Sequence, residues 1–229
     1  MWLIDSSIGR KVVMSVSGGA LILFLTFHMA MNCVVLISGE AYNAVCEFLG
    51  ANWYALVGTV GLAFLVVVHF VYAFILTIQN MRARGTQKYA VTERPKSVEW
   101  ASQNMLALGI IVALGLVLHL ANFWSKMQLQ ELLGSQAIVE GVAVAPTDGA
   151  RLIEYTFSKW YFVLAYIVWL CALWFHLSHG FWSALQTVGW SGKTWLKRWQ
   201  VIGNIYVAVV ILGFIAVVLT FSSRAFVKL

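Results

Sequence analysis

The chain holds five histidines, and all of them lie within long apolar runs. His28, His69 and His119 stand alone in theirs, and His176 shares a fourth run with His179. An ionisable side chain in hydrocarbon is costly, and those retained there are functional sites by default. A neutral imidazole offers a ring nitrogen to a transition metal and is a common ligand of haem iron. Four runs that each bring an imidazole lead to the expectation of two b-type haems, each held by two histidines.

The elements that must position these residues follow from composition. Of 229 residues, 61% are hydrophobic and only 10% charged, against about 25% charged in a soluble domain. Mean hydropathy is +0.83. The chain has two prolines, which favours long uninterrupted helices. Apolar residues come in blocks rather than in alternation, so a membrane β-barrel is excluded. A membrane-spanning helix needs about 20 apolar residues. Five stretches meet that length: about 12–37, 54–80, 102–124, 159–187 and 201–222. The expected fold is all-α, an integral membrane bundle of five transmembrane helices forming one domain over residues 1–229. The run from Met1 to Asp5 has no small-residue cleavage site, so no separate cleaved leader is expected. The longest connection, about 125–158, carries Gly134, Gly141, Pro146 and Gly149 and is expected to hold a short amphipathic helix around Gln128 to Leu133.

The net charge of +6 sits in short connections between spans, where it orients a membrane protein. It is therefore not read as a nucleic-acid surface. Arg10 and Lys11 precede the first span. Arg82, Arg84, Lys88, Arg94 and Lys96 lie between the second and third, and Lys193, Lys197 and Arg198 between the fourth and fifth. The opposite side has only Lys126, Arg151 and Lys159 in the long connection, then Arg224 and Lys228 after the last span. The denser side is cytoplasmic, with the N-terminus inside and the C-terminus outside. Trp53, Trp100, Trp124, Trp160, Trp190 and Trp199 fall near span ends, as interfacial tryptophans do. Cys33, Cys46 and Cys171 form neither a CxxC nor a CxxCH pattern. Any haem is held without covalent attachment, and each cysteine is expected as a small buried hydrophobe.

This topology sorts the histidines by depth. Spans one and three run outward, with His28 and His119 in their outer parts. Spans two and four run inward, with His69 and His176 in their inner parts. At about 1.5 Å per residue, His28 lies roughly 25 Å and His69 roughly 20 Å from the inner edge. Two levels with two imidazoles each is what two stacked bis-histidine haems require. His176 and His179 are three residues apart and share roughly one face, so either imidazole is open as the fourth ligand. Gly18 and Gly109 lie ten residues before His28 and His119, and Gly58 and Gly61 lie eleven and eight before His69. Each marks a place where a helix passes a bulky group closely, or an ordinary small-residue contact between membrane helices.

The opening run Ser6, Ser7, Ile8, Gly9, Arg10, Lys11, followed by Ser17, Gly18 and His28, resembles the cytochrome b subunit of succinate:quinone oxidoreductases. The resemblance is to the five-helix, two-haem type of succinate dehydrogenases and quinol:fumarate reductases, and most to the versions in Bacteroides-like anaerobes. It covers nearly the whole chain, including the arginines at 82 and 84 and the Gly189, Trp190 pair. Family members carry a Phe-His-x-x-Asn-Gly-x-Trp pattern on span four. Here the run is Phe175, His176, Leu177, Ser178, His179, Gly180, Phe181, Trp182.

The resemblance implies that His28 and His119 ligate the outer haem b and His69 and His176 the inner one, with His179 as alternative ligand at the family's asparagine. It implies menaquinol as electron donor, and a flavoprotein subunit and an iron–sulfur subunit docked on the cytoplasmic face of a bacterial inner membrane. Dicarboxylate chemistry would belong to the flavoprotein; this chain has neither a dinucleotide-binding glycine fingerprint nor an iron–sulfur cysteine cluster. Two positions depart from the family. Trp174 stands where some members have a glutamate two residues before the fourth ligand. Gly50 stands where some have a glutamate beside the quinone site, and Glu47, about one turn away, is the expected quinone-site base, with Glu40 next in line. Rival readings are a cytochrome b anchor of a hydrogenase or formate dehydrogenase, and a haem-free transporter. A transporter of that kind calls for an internal repeat with broken helices, and the sequence has no such repeat.

Overall fold

The computed structural model describes residues 5–84 and 100–227, without the side chains of Arg84 and residues 225–227. Lys88, Arg94, Lys96 and Lys228, used above to orient the chain, lie outside the described residues, as do the first four residues. Helix makes up 84% of the structure, which settles the class as all-α. Five helices are long and apolar enough to cross a membrane, so the chain is a multi-pass membrane protein.

The first span is α1 (Ser7–Cys33), opened by Ser6, whose side chain accepts from the Gly9 amide at 2.9 Å. This places a hydroxyl on one of the amides that a helix start leaves unpaired. It ends in a 3₁₀ turn (Val34–Leu36) and is followed by α2 (Gly39–Phe48), capped in the same way by Ser38. The second span is α3 (Trp53–Arg84). A short α4 (Trp100–Gln103) breaks at Asn104 into the third span, α5 (Met105–Asn122). The long connection is more ordered than its glycines suggest. It contains α6 (Gln128–Leu132), where a helix was expected. It also contains an antiparallel hairpin of β1 (Ala137–Val139) and β2 (Val142–Val144), and α7 (Gly149–Phe157). The hairpin turn sits on Glu140 and Gly141, both at positive φ. The fourth span is α8 (Trp160–Thr187) and the fifth α9 (Lys193–Val227). Between them Gly189, at φ 84, lets the Trp190 amide reach the Leu185 carbonyl at 2.9 Å, a Schellman closure of α8.

The spans form an arc. α3 packs along α1, α1 along α8, and α8 along α5, while α9 closes the back against α8 and α1. No comparably extensive packing joins α3 to α5. Lipid is as apolar as leucine, so close fit and polar contacts hold such helices together, not water exclusion. Side chains of one span enter glycine notches of the next. Met29 of α1 fills the space at Gly213 of α9, and Phe181 of α8 that at Gly203. Thr26 hydrogen-bonds Tyr206 between the first and fifth spans. Val207, Val210 and Ile211 of α9 are almost fully buried, so the fifth span is a packing helix. Cys171 is exposed rather than buried. A lipid-facing site is apolar enough for a thiol, so burial in protein is not required there. Cys33 and Cys46 are half-buried.

At the end of the bundle that carries α2, α6, the hairpin and α7, these pieces form a cap. Asn43 on α2 donates to Asp148 and accepts from the Ala150 amide, both at 2.9 Å. Asp148 in turn caps α7 through the Arg151 amide. Lys159 and Glu140 pair at 2.5 Å, and the carboxylate raises the lysine's pKa. The opposite end carries Arg10, Lys11, Arg82, Lys193, Lys197 and Arg198.

Candidate functional site: two interior histidine pairs

The arc brings the histidines together two by two. His28 of α1 and His119 of α5 have ring centroids 5.7 Å apart at 86°. His69 of α3 and His176 of α8 are 6.4 Å apart at 69°. Span-to-span position alone explains why these and no other pairs form. Alternate spans run in opposite directions, so the late part of α1 faces the late part of α5. The late parts of α3 and α8 meet at the other level.

Gly18 faces His69: an added Cβ would lie 3.1 Å from its Cε1. Gly109 faces His176, with the corresponding distance 4.0 Å. Each glycine is ten residues before the outer-level histidine of its own span, which sets the two levels about 15 Å apart on both α1 and α5. Gly58 and Gly61 of α3 have nothing within 4 Å. The glycine spacing therefore marks two close approaches and two open positions.

The surroundings of the rings differ. His69 Nδ1 lies 3.3 Å from Ser17 Oγ, and that hydroxyl donates to the Met14 carbonyl at 3.1 Å. With the hydroxyl proton so used, Nδ1 is the donor and Nε2 is left as the free lone pair. At the other level Asn32, one turn after His28, donates to the His28 carbonyl at 2.8 Å and accepts from Tyr42 OH at 3.0 Å. His119 is walled by Phe123, Tyr166 and Trp169, at ring-centroid distances of 5.3, 6.4 and 5.7 Å. Trp169 occupies the space at Gly115 and donates to the Val112 carbonyl at 3.0 Å. His176 Nδ1 is buried with no hydrogen-bond partner among the described residues. His179 stacks edge-on against Trp182, its ring centroid 4.9 Å away.

The ring spacings would suit one metal ion shared by each pair. Two imidazoles holding one ion at about 2 Å per metal–nitrogen bond would have ring centroids about 6 Å apart. Both observed spacings are close to that. Among the described residues no group of three or more His, Cys, Asp and Glu side chains is placed to hold a metal ion. The remaining ligands of an ion at either pair would come from a prosthetic group.

Glu47 is exposed near the end of α2. The buried residue of α2 is Tyr42. Glu40 is exposed as well. Gly50 is buried, and the carboxylate of Glu131 lies against it. Ser17, Asn32, Gln128 and Glu131 take part in this architecture without having been singled out for it in the sequence. The available signal was a polar residue on the histidine face: Asn32 is four residues after His28.

Fold and site together define a five-span helical membrane protein with two stacked interior histidine pairs. No family model, curated protein or solved structure matches the chain.

Proposed function

We propose that this chain is the dihaem membrane anchor of a quinol:fumarate reductase or succinate dehydrogenase. It carries electrons between menaquinol and an iron–sulfur subunit. The observation that carries the reading is the pairing of His28 with His119 and of His69 with His176 at two levels inside an apolar bundle. His28 and His119 would hold the outer haem b, His69 and His176 the inner one. A haem held by each pair would supply the metal's remaining ligands and one-electron redox chemistry. The chain's own residues orient and enclose. Ser17 fixes the His69 tautomer, Gly18 and Gly109 leave room beside the inner pair, and Trp169 with Phe123 walls the outer pair from lipid. His179, turned to Trp182, is not needed as a ligand.

The basic end suits docking of the iron–sulfur and flavoprotein subunits. The capped end, which carries fewer of the lysines and arginines, is then outside a bacterial inner membrane. A reduced-minus-oxidised absorption spectrum of the purified chain, with identification of the subunits that co-purify, tests the reading. Two b-type haems and an iron–sulfur/flavoprotein pair are expected. A colourless chain, or co-purification with a hydrogenase, would overturn it. A C-terminal reporter active only in the cytoplasm would reverse the orientation.

A further inference from the structure

A cleft of about 490 Å³ opens at the capped end, where the first and fifth spans stop. Val35 lies one residue before the end of the first span, and Arg224 is the last residue of the fifth. There α9 packs on α7 and on the 3₁₀ turn that ends α1. The apolar lining, Val35 and Phe221, is buried. The polar lining comes from the start of α2, the start of α7 and Arg224.

Two of the polar groups are already engaged. Asn43 and Asp148 hold each other and the first turn of α7. The others bring both signs of charge into one cleft: the guanidiniums of Arg151 and Arg224, and the carboxylates of Glu40 and Glu154, all on exposed residues. Arg224 lies over the Phe221 ring, with Cζ 4.9 Å from the centroid. Among the described residues neither guanidinium closes onto a carboxylate as an ion pair. Opposite charges that share a cleft without pairing suit a ligand that carries both charges on separate atoms. The level of the cleft narrows the ligand further. Where spans stop, hydrocarbon gives way to the layer of lipid headgroups. Ile37, two residues past Val35, is 89% exposed, so an apolar side chain projects at the same level.

We propose that this cleft binds the headgroup of one phosphoethanolamine phospholipid from the adjoining leaflet. Arg151 and Arg224 take the phosphodiester oxygens, which match the parallel N–H groups of a guanidinium. Glu40 accepts from the primary ammonium, and Glu154 adds to the negative charge of the cleft. A phosphoglycerol headgroup brings the phosphate without a cation for the carboxylates. A phosphocholine headgroup brings a cation with no N–H to donate. The cleft therefore selects ethanolamine over both. The site involves no haem and stands whether or not the histidine pairs bind one.

The test uses the full chain, purified in detergent and freed of lipid, and native mass spectrometry. Dioleoyl phosphatidylethanolamine, phosphatidylglycerol or phosphatidylcholine is added singly. The wild type retains one phosphatidylethanolamine at concentrations about tenfold below those needed for the other two, as charge-assisted hydrogen bonds to the headgroup require. In the double variant Arg151→Gln, Arg224→Gln the ethanolamine lipid binds about tenfold more weakly, at the level of the others. Glu40→Gln still binds lipid but discriminates less against phosphatidylcholine. Lys126→Gln, outside the cleft, keeps the wild-type preference. Equal retention of the three lipids by the wild type overturns the assignment, and so does a preference for phosphatidylglycerol. An ethanolamine preference that persists in the double variant overturns it and places the lipid elsewhere. Unchanged discrimination against phosphatidylcholine in both Glu40→Gln and Glu154→Gln overturns the ammonium contact and the headgroup assignment with it. If the double variant does not purify as a folded chain, Arg224→Gln alone takes its place and is judged by the same readings.

Discussion

Gly18 meets His69 across the interface of the first two spans, its Cα hydrogen taking the place where a Cβ would stand 3.1 Å from Cε1 of the imidazole. The neighbouring Ser17 hydroxyl fixes the same ring through Nδ1. One turn of α1 therefore sets both the distance and the tautomer of an imidazole on α3.

Gly18→Ala brings a Cβ to 3.1 Å from the His69 ring, which must give by a few tenths of an ångström. The expected result is a shifted midpoint potential or partial loss of the inner haem, with the outer one unchanged, in a redox titration. Gly61→Ala, at a position with nothing within 4 Å, leaves both potentials in place. Equal effects of the two substitutions would contradict the close approach as the cause.

On the dihaem reading, replacement of one of the four paired histidines by alanine is expected to remove one haem and spare the other. His28→Ala and His119→Ala abolish the same spectral component, and His69→Ala and His176→Ala the remaining one. His179→Ala keeps two haems. A bis-histidine spectrum for both haems in His176→Ala would transfer the ligand role to His179.

Gln128→Leu severs the links to Gly50, Thr59 and Trp124 while keeping the side chain's bulk. The Gly50 carbonyl is left without that partner, at a cost of about 1–3 kcal/mol. A lower unfolding temperature in detergent is expected, together with faster protease cleavage of residues 49–52. An unchanged unfolding temperature would mean that water replaces the amide without loss.

Cys46 lies in the cap, where burial pushes its thiol up to about 11 from 9.0, against the lowering effect of its hydrogen bonds with Tyr42 and the Gly149 backbone. The folded state thus holds this proton to a higher pH than the unfolded chain does. The resulting stability is fully present below pH 9 and is lost as pH rises through about 11. Maleimide labelling of native Cys46 is expected to be slow at pH 8 and to accelerate toward pH 11. Fast labelling at pH 8 would show that the cap opens readily.

The depth order of the histidines was legible because it needs only span direction and a fixed rise per residue. Gly18 and Gly109 carried two readings in the sequence, close passage of a bulky group or an ordinary small-residue contact, and the fold sets them beside His69 and His176. The cap was not. Its hairpin and α7 are short and amphipathic, with turn residues that read equally well as an irregular connection. The meeting of Gly50 with Glu131 joins residues eighty-one positions apart, through Gln128 and Thr59, and no local pattern encodes it. Glu47 is close to Gly50 in sequence, while the chain also folds the distant Glu131 carboxylate against that glycine.

The arc also bears on how the protein is made. Its wall joins the first span to the fourth and fifth, which leave the ribosome last. Until α8 is synthesised, α1 and α3 pack on each other while α5 has no span to join them, and His69 lacks His176. Each half-site waits for a later helix: α5 for one pair, α8 for the other. A nascent chain arrested before residue 160 would contain His28 and His119 yet lack α8, the helix against which both carrier spans pack. On the dihaem reading, capture of the prosthetic groups would be deferred until nearly the entire polypeptide is in the bilayer, and stalled products would leave the membrane pale.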